Sequence, residues 1–278
     1  MPTVLITGAG RGIGRAAALW LARAGWDVYA GVRRAEVGEE LRAAAPTGRL
    51  TPVILDVTSA ADIAALPAQL PERLDALVNN AGIAIGGPVE TVPADELRRQ
   101  LEVNVTGPIA LTQALVPRLR AANGRIVFIS SVGGRMSTPF LGPYSASKFA
   151  LEALADSLRI ELRPWDVKVV LLEPGAIDTD IWDSGAEQAD EAEAAMTPEQ
   201  RDLYAPQITG LRKTIGKTKS RSVSPDKVAG VLERALTTRR PKARYPVGSD
   251  AHVQLRLLRV LPTRVVDAML ARIVVGSR

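Results

Sequence analysis

Short runs of Val, Ile and Leu that do not alternate with polar residues constrain the fold of this chain most strongly. Six such runs recur along the sequence, at residues 3–8, 26–32, 50–58, 74–82, 124–131 and 167–175, and a seventh, at 243–248, is typical of an edge strand. A strand without alternation is buried on both faces, as in a parallel sheet that helices cover. Apolar residues at helical spacing lie between the runs, at 13–25, 60–70, 93–121 and 144–165. The sequence therefore predicts an α/β fold, a doubly wound parallel sheet of about seven strands with helices on both faces.

The alternation continues along most of the chain without a low-complexity linker or a tandem repeat. We therefore predict a single Rossmann-type domain over residues 1–278. Two segments fall outside the repeating pattern. Residues 178–224 form a long excursion, which we interpret as a lid over the substrate, and residues 250–278 form an amphipathic C-terminal extension.

The first apolar run ends in a glycine-rich turn, Thr7-Gly-Ala-Gly-Arg-Gly-Ile-Gly14. Glycines allow a tight turn in which backbone N–H groups at a helix N-terminus approach a pyrophosphate. The spacing is not Gly-x-Gly-x-x-Gly, because Arg15 follows Gly12 by three residues. A turn that binds nothing remains the alternative. Small or polar residues at the ends of the other runs favour a ligand at this edge of the sheet.

Tyr144 and Lys148 are four residues apart in a segment with helical periodicity. Residues at that spacing lie on one face of a helix, one turn apart. Of the four tyrosines in the chain, only Tyr144 is followed by Lys at this distance. The pair is typical of a proton-transfer device, but a single short motif also arises by chance.

Composition excludes several classes of site. The chain has no cysteine and one histidine, His252, which we interpret as a structural or surface residue. We therefore expect no thiolate chemistry, no metal site and a cytoplasmic location. The net charge of +5 does not indicate nucleic acid, because nine basic residues and only two acidic ones fall within residues 239–278. No apolar run approaches a membrane span, and the N-terminus enters a strand without a signal peptide.

Several motifs recur in one order along the first two thirds of the chain. They are Gly8, Gly12 and Gly14 in Gly-x-x-x-Gly-x-Gly, Asp56, residues 79–82 in Asn-Asn-Ala-Gly, Asn104, Ser131 thirteen residues before Tyr144, Lys148, and Pro174, Gly175 and Thr179. With these motifs the chain resembles the short-chain dehydrogenase/reductase family over roughly residues 3–180. Its C-terminal part, around 243–251, is similar to the retinol and hydroxysteroid dehydrogenase branch.

The resemblance implies hydride transfer between a nicotinamide cofactor and a secondary alcohol or ketone. Tyr144 would exchange the proton, Lys148 would hold the nicotinamide ribose and lower the pKa of Tyr144, Ser131 would hold the substrate oxygen, and Asn104 would position a water that links Lys148 to solvent. A cap at a strand end is the alternative for Ser131, and a helix irregularity is the alternative for Asn104. The predicted cofactor-binding residues are Gly8, Arg11, Gly12, Ile13, Gly14, Arg33, Asp56, Val57, Asn80, Ala81, Gly82, Tyr144, Lys148, Pro174, Gly175, Ile177 and Thr179.

The end of the second strand favours NADP(H) over NAD(H). An acidic residue there would bind the adenosine 2′-hydroxyl and select NAD. This strand ends instead in Val32-Arg33-Arg34, and Arg11 lies in the glycine turn. Guanidinium groups suit the 2′-phosphate of NADP, because they donate bidentate hydrogen bonds to it. Solvated loop arginines are the alternative.

The substrate is the least constrained part of the prediction. A bulky apolar alcohol or ketone, such as a steroid, retinoid or lipid, follows from the resemblance. A small polar or acyl-carrier-bound 3-oxo substrate is the alternative. A non-catalytic, cofactor-sensing regulator is the third possibility, but it does not need the full set of Asn104, Ser131, Tyr144 and Lys148.

Two further partners are expected. The resemblance implies a homo-oligomer, a dimer or a tetramer. In the C-terminal extension, Val265, Val266, Met269, Leu270, Ile273 and Val274 form one apolar helical stripe with arginines beside it. The stripe favours packing against this or a neighbouring subunit, with peripheral contact to an anionic membrane as the alternative.

Overall fold

A computed structural model describes residues 1–45, 49–179, 190, 193–194, 196–219 and 222–275. Seven strands form one parallel sheet in the order β3-β2-β1-β4-β5-β6-β7. They are β1 (Thr3–Ile6), β2 (Asp27–Val32), β3 (Leu50–Ile54), β4 (Ala76–Asn79), β5 (Arg125–Ile129), β6 (Lys168–Pro174) and β7 (Arg244–Val247). The predicted fold class is confirmed, and β7 is the edge strand that the sequence indicated.

Helices cover both faces of the sheet. They are α1 (Gly12–Arg23), α2 (Ala35–Ala44), α3 (Ala60–Ala65), α4 (Ala94–Leu101), α5 (Gly107–Ala122), α6 (Gly142–Glu161), α7 (Pro198–Lys219), α8 (Pro225–Thr237), α9 (Ser249–Val260) and α10 (Thr263–Val275). Val4 and Ile6 of β1 pack with α1 and α8, whereas Leu5 packs with α5 and α6 on the other face. Every residue of this central strand except its first is therefore buried, which is why its sequence does not alternate.

The long helix predicted at 93–121, with Pro108 as an expected irregularity, is present as a continuous helical segment that changes its geometry just before Pro108. The structure has α4, then a π-helical segment at Glu102–Thr106, then α5. Pro108 is the physical reason, because it has no N–H to donate to the carbonyl of Asn104 four residues earlier. A wider turn takes its place, and turns of this kind often occur at functional sites.

The C-terminal half of the excursion and the extension are helical. Helix α7 covers 198–219, and α10 packs against it, while α9 packs against β7. Part of the excursion, 180–189 above all, lies outside the described residues, so its role as a lid stays a prediction. Ile273 and Val274 of the predicted apolar stripe are in α10, but their side chains are outside the described part. Within the described residues no helix is both long and apolar enough to cross a membrane.

Candidate active site

The predicted site residues gather where β1 and β4 end side by side. Here the strand order reverses, since the chain runs from β1 outward to β3 and then returns to β4. The Thr7 hydroxyl oxygen accepts hydrogen bonds from the N–H groups of Asn80 (3.0 Å) and Ala81 (2.9 Å). The Asn80 amide in turn donates to the carbonyls of Thr7 (2.9 Å) and Gly8 (3.2 Å). Thr7 was not among the predicted residues, although it directly precedes the glycine turn.

The glycine turn leaves no room for side chains. Gly8 and Gly12 have φ of +64° and +52°, in the left-handed region that glycine favours. A Cβ on Gly14 would lie 2.2 Å from the carbonyl oxygen of Gly8, and one on Gly12 would lie 3.3 Å from the Thr179 methyl group. The N-terminus of α1 has no acidic residue in its first turn, and Arg11 stands directly before it. A close, electropositive cradle of backbone N–H groups fits a diphosphate.

The predicted adenosine end of the cofactor site lies beyond β2 and β3. Arg33 and Arg34 are exposed just after β2, and Arg34 precedes the first residue of α2. Asp56 follows β3, and its carboxylate accepts hydrogen bonds from the N–H (2.9 Å) and the hydroxyl (2.7 Å) of Thr58. These bonds, together with the positive charge of Arg33, hold the pKa of Asp56 below its usual value. Arg33 and Asp56 are thus neighbours, as a shared adenosine pocket requires.

The remaining predicted cofactor residues lie around this edge. Ile13 packs against the core beside α1, Val57 is buried after β3, and a Cβ on Gly82 would lie 3.3 Å from the Asn104 side-chain oxygen. Pro174 ends β6, and Ile177 forms an isolated parallel bridge with Val223. Gly175 follows Pro174, and a Cβ there would lie 2.1 Å from a carboxylate oxygen of Asp250.

Ser131 and Tyr144 meet across the start of α6. Ser131 follows β5, and its hydroxyl oxygen accepts from the N–H of Gly133 (3.0 Å) and lies 3.5 Å from the carbonyl oxygen of Pro174. The turn packs against the phenol, because a Cβ on Gly133 would lie 3.2 Å from the Tyr144 ring. The same Cβ would lie 3.4 Å from the Ser131 hydroxyl oxygen, so the two side chains flank Gly133. The two hydroxyls that would hold a substrate oxygen are therefore side by side.

Lys148 is buried one helical turn beyond Tyr144. Its side chain is 6% exposed in total, and Nζ donates a 2.8 Å hydrogen bond to the carbonyl of Ile129. Nζ is 5.7 Å from the centre of the Tyr144 ring. Burial lowers the pKa of Lys148 to about 8, and the charge of Glu152 partly opposes this effect.

Burial raises the pKa of Tyr144, and the neighbouring Ser131 hydroxyl only partly opposes it. The lowering that we expect depends on the positive ring of the bound cofactor together with Lys148, so it stays a prediction for the enzyme with its cofactor.

Asn104 stands in the π-helical segment and is 1% exposed. Its side-chain oxygen accepts from the N–H of Ile83 (2.9 Å), and its amide donates to the carbonyl of Ile83 (2.9 Å) and to the hydroxyl of Ser147 (3.0 Å). Ser147 is on α6 between Tyr144 and Lys148, and it donates to the Tyr144 carbonyl (2.6 Å). Asn104 therefore links the segment after β4, which contains Ile83, to the start of α6.

His252 is exposed and its ring lies 2.7 Å from the carbonyl of Gly248, away from the predicted catalytic residues in sequence and on a different helix. Among the described residues no group of three His, Asp or Glu side chains is arranged to hold a metal ion.

Comparisons with known proteins agree with this arrangement. The family model described as short chain dehydrogenase matches residues 2–190. An NADPH-dependent 3-dehydrocapnine reductase of Ornithobacterium rhinotracheale is 34% identical, over 96% of this chain and 95% of its own length. Retinol dehydrogenase 5 of Mus musculus is 36% identical, over 96% of this chain and 87% of its own length. A crystal structure of a short-chain dehydrogenase from Streptomyces avermitilis superposes with a TM-score of 0.78 at 32% identity and covers 98% of this chain and 95% of its own.

Proposed function

Because this chain belongs to the short-chain dehydrogenase family and is a nicotinamide-dependent oxidoreductase acting on CH–OH groups, we propose that it transfers a hydride between NADP and a bulky, apolar secondary alcohol or ketone. The observation that carries the proposal is the placement of the Ser131 and Tyr144 side chains on either side of Gly133, one helical turn from the buried Lys148 and at the edge of the sheet that holds the glycine turn.

The chain's own residues have the following roles in this reaction. The bound cofactor supplies or accepts the hydride. The Tyr144 hydroxyl gives a proton to the substrate oxygen during reduction and takes it back during oxidation. Ser131 donates a hydrogen bond to the same oxygen and stabilises its developing charge. The Lys148 ammonium favours the phenolate form of Tyr144, and Asn104 fixes the segment beside α6 and helps to position the water that connects Lys148 to solvent.

The proposed preference for NADP rests on charge. Arg33 and Arg34 follow β2, where an NAD-selecting carboxylate would otherwise stand. The guanidinium of Arg33 is close enough to Asp56 to influence its ionisation, so it lies over the adenosine end of the site. The name of the Ornithobacterium rhinotracheale relative, an NADPH-dependent reductase, supports the same choice.

The proposed apolar substrate rests on the wall that faces the start of α6. Phe140 precedes α6, and its ring meets the ring of Tyr204 on α7 edge-to-face, with centroids 6.1 Å apart. Two aromatic rings that meet at Phe140, four residues before the catalytic tyrosine, suit an apolar substrate better than a polar one. One relative is named for retinol, an apolar alcohol. The names of the relatives, a reductase and a dehydrogenase, give no support to the regulator alternative.

Turnover measurements test the proposal. We expect NADPH-dependent reduction, or NADP-dependent oxidation, of members of a steroid and retinoid panel, and much slower turnover with NADH. Turnover confined to 3-oxoacyl substrates would move the proposal to the small or acyl-carrier-bound alternative. Loss of all turnover with both panels, in protein that binds NADPH, would revive the regulator.

We also propose a cytoplasmic homo-oligomer, a dimer or tetramer. For the peripheral membrane contact we propose α9 in place of the stripe on α10 that the sequence suggested, because α10 packs against α7. Val253, Leu257 and Val260 lie along one side of α9 and are 56%, 38% and 75% exposed, whereas Ala251 and Leu255 on the opposite side are buried. We call these three residues the α9 outer face. An exposed apolar stripe of this kind marks a surface that contacts something else.

Charge favours an anionic membrane surface as the occupant. Arg256 lies beside the α9 outer face, within a C-terminal part of the chain in which nine basic residues accompany two acidic ones. A twofold contact between two copies of this face would bring like charges together, because such a contact places the same patch on both partners. A basic amphipathic helix instead gains from anionic lipid headgroups.

A further inference from the structure

Helix α6 carries a ladder of polar residues that is longer than the catalytic pair. Tyr144, Lys148, Glu152 and Asp156 recur at intervals of four, so they lie along one face of the helix. We call these four residues the α6 ladder. Glu152 is 5% exposed and is therefore as deeply buried as Lys148, which is 6% exposed. Charged side chains are rarely buried to this extent unless they are paired, so the partners of Glu152 matter.

Arg244 holds the far end of the ladder. Its Nε donates to one carboxylate oxygen of Glu152 (2.9 Å), and its Nη2 donates to Asp156 (2.7 Å). Arg244 is on β7, at the edge of the sheet and 92 residues from Glu152. One planar guanidinium therefore fixes two successive rungs of the ladder, which a flexible ammonium would not do.

The same guanidinium reaches a second buried carboxylate. Arg244 Nε is 3.4 Å from an oxygen of Glu173, which is 1% exposed, and Arg135 lies 3.2 Å from that oxygen. Burial and the charge of Glu152 raise the pKa of Glu173, although the two arginines oppose this. Glu173 precedes Pro174, and Arg135 follows the turn that Ser131 opens. The cluster thus touches every element that presents a catalytic hydroxyl.

One oxygen of Glu152 has no hydrogen-bond partner among the described residues. This atom, Oε1, is buried, and so is the hydroxyl of Ser130, which is unpartnered within the same part of the chain. Gly134 brings the two side chains together, since a Cβ there would lie 2.9 Å from the Ser130 hydroxyl and 3.0 Å from Glu152 Cγ. One of the two Glu152 carboxylate oxygens therefore accepts no hydrogen bond from the described residues, and Glu152 is one helical turn from Lys148.

We propose that Glu152 is a positioning residue of the active site, whose carboxylate, fixed by Arg244, sets the charge state of the Lys148 amine one helical turn away. The proposal rests on the proposed function, because a protonated Lys148 matters only if it acts on Tyr144. Burial alone drives the amine toward its neutral form, and Glu152 supplies the negative charge that opposes this. Glu152 acts through Lys148 and does not touch the substrate.

The other charged groups that face Glu152 come from three neighbouring elements. Arg135, Glu173 and Arg244 face Glu152 from the turn after β5, from β6 and from β7. A cavity of about 250 Å³ between β7 and α9 is lined by Glu173, Arg244 and Arg259. The charged residues on the remaining elements packed against α6 are at or near the surface: Asp95, Glu96, Arg98, Arg99, Glu102 and Arg163.

The titration of Lys148 tests the proposal without cofactor. The NMR signal of its Cε methylene group, identified by its loss in Lys148→Arg, reports the pKa of the amine in cofactor-free protein. We expect Glu152→Gln to lower this pKa by roughly one unit, because a unit charge about one turn away in a partly buried site has an effect of that order. Glu152→Asp should restore most of the effect. Asp156→Asn is the matched control, since it removes the other carboxylate that Arg244 binds but lies two turns from Lys148, and it should leave the titration nearly unchanged.

The pH dependence of turnover supplies a second readout. With NADPH and the best ketone of the substrate panel, the alkaline limb of the kcat/KM profile should move to lower pH in Glu152→Gln by the same amount as the Lys148 titration. At pH 6, where the amine is protonated in both proteins, kcat/KM should stay within a few-fold. A residue that only supports the fold would lower kcat/KM at every pH.

Several outcomes overturn the proposal. An unchanged Lys148 titration in Glu152→Gln excludes the coupling, and a shifted titration with an unchanged alkaline limb excludes a role in the reaction. If Glu152→Gln does not fold, Arg244→Gln gives a test of opposite sign: it removes a positive charge and frees the carboxylate, so Lys148 should titrate at higher pH. Failure of the proposed function looks different, because Tyr144→Phe would then remain active while the Lys148 titration still responded to Glu152.

Discussion

Helices α6 and α9 both differ from the usual pattern in which apolar side chains are buried and charged side chains are exposed, but they differ from it in opposite ways. Helix α6 buries charged groups, with Lys148 6% and Glu152 5% exposed, whereas α9 leaves Val253 and Val260 more than half exposed. Burying a charge costs free energy unless it is paired, and exposing an aliphatic side chain forgoes the gain from removing it from water. Neither helix has the pattern that stability alone would favour.

The difference between the two helices indicates where each acts. The charges of α6 are tied into the molecule by Arg244 and by the Ile129 carbonyl, so their cost is offset inside the fold and the helix is rigidly placed. On the α9 outer face, Val253 and Val260 stay more than half exposed among the described residues, so we propose that an external surface offsets their cost. We therefore expect substitutions on α6 to change chemistry, and substitutions on the α9 outer face to change location.

The largest expected effect is that of Tyr144→Phe. The hydroxyl acts mainly in the transition state, so turnover should fall at least about 100-fold, the usual contribution of general acid–base catalysis, while NADPH affinity stays within a few-fold. Steady-state kinetics and fluorescence titration of NADPH measure the two quantities. Activity above about a tenth of wild type would defeat the assignment of Tyr144. Membrane contact through the α9 outer face should not change in Tyr144→Phe, so this variant separates the role of α6 from that of α9.

Lys148→Met tests whether the buried charge of α6 costs stability. The pKa of Lys148 is about 8 in the folded protein, below the value of about 10.4 in an unfolded chain. Between these values the unfolded state binds more protons, so the free energy of unfolding should rise with pH in that window. We expect wild type to gain about 2 kcal/mol relative to Lys148→Met from pH 8 to 9.5, measured by urea denaturation.

The control for this experiment is Lys168→Met, because Lys168 is on β6 and its side chain is 37% exposed beside Asp166. Wild type and Lys168→Met should differ by the same free energy across the window. If the difference in unfolding free energy between wild type and Lys148→Met is also constant across the window, the pKa of Lys148 is not lowered in the folded protein. Lys148→Met should also lose turnover and some cofactor affinity.

These tests bear on how far the sequence could predict the molecule. Six strands were predictable from apolar residues that run with little interruption, as in buried parallel strands, whereas β7, with the sequence Arg-Tyr-Pro-Val, was predictable only as an edge strand. The sequence assigned Gly12 and Thr179 to one predicted cofactor site, and the structure brings these distant residues together. Pro108 indicated an irregularity in the helix at 93–121. It did not indicate the π-helical form, which depends on the contacts of Asn104.

The cluster behind Lys148 shows what the sequence leaves out. The α6 ladder was visible as polar residues at intervals of four in a helix, and this signal could have identified Glu152. Its pairing with Arg244 could not be predicted, since the two residues are 92 positions apart and meet only when β7 joins the sheet edge. The rise of the Tyr144 pKa on burial could not be predicted from the sequence either, because burial is a property of the assembled fold.

Arg33→Ala tests the cofactor end of the site, beyond either helix. Loss of a charge-assisted hydrogen bond to the 2′-phosphate should weaken NADPH binding by about 1.5–3 kcal/mol and leave NADH nearly unchanged. Arg42→Ala is the matched control, because Arg42 is an exposed arginine of α2 that pairs with Glu39. An equal response of both cofactors would show that Arg33 does not contact the 2′-phosphate, and a wild-type preference for NADH would remove the NADP proposal.

The smallest expected effect belongs to the α9 outer face. Val253→Ser, Leu257→Ser and Val260→Ser combined should leave turnover and thermal stability nearly unchanged, because these side chains are exposed. Sedimentation with phosphatidylglycerol vesicles at low salt should fall roughly three- to tenfold, since the apolar side chains would no longer enter the lipid interface. Added salt should weaken wild-type binding by screening the arginines.

Ile160→Ser provides the control that links this experiment to the comparison of the two helices. Ile160 is on α6, is 64% exposed and is as apolar as the α9 residues, yet it lies far along α6 from Lys148. Its substitution should not alter vesicle binding if position, and not apolar surface in general, decides the contact. Wild type that stays in the supernatant with such vesicles would exclude the membrane, and a triple variant that dissociates an oligomer would assign the α9 outer face to a second copy of the chain. Either result would still leave α6 as the helix whose unusual residues act within the molecule, because its buried charges have their partners there.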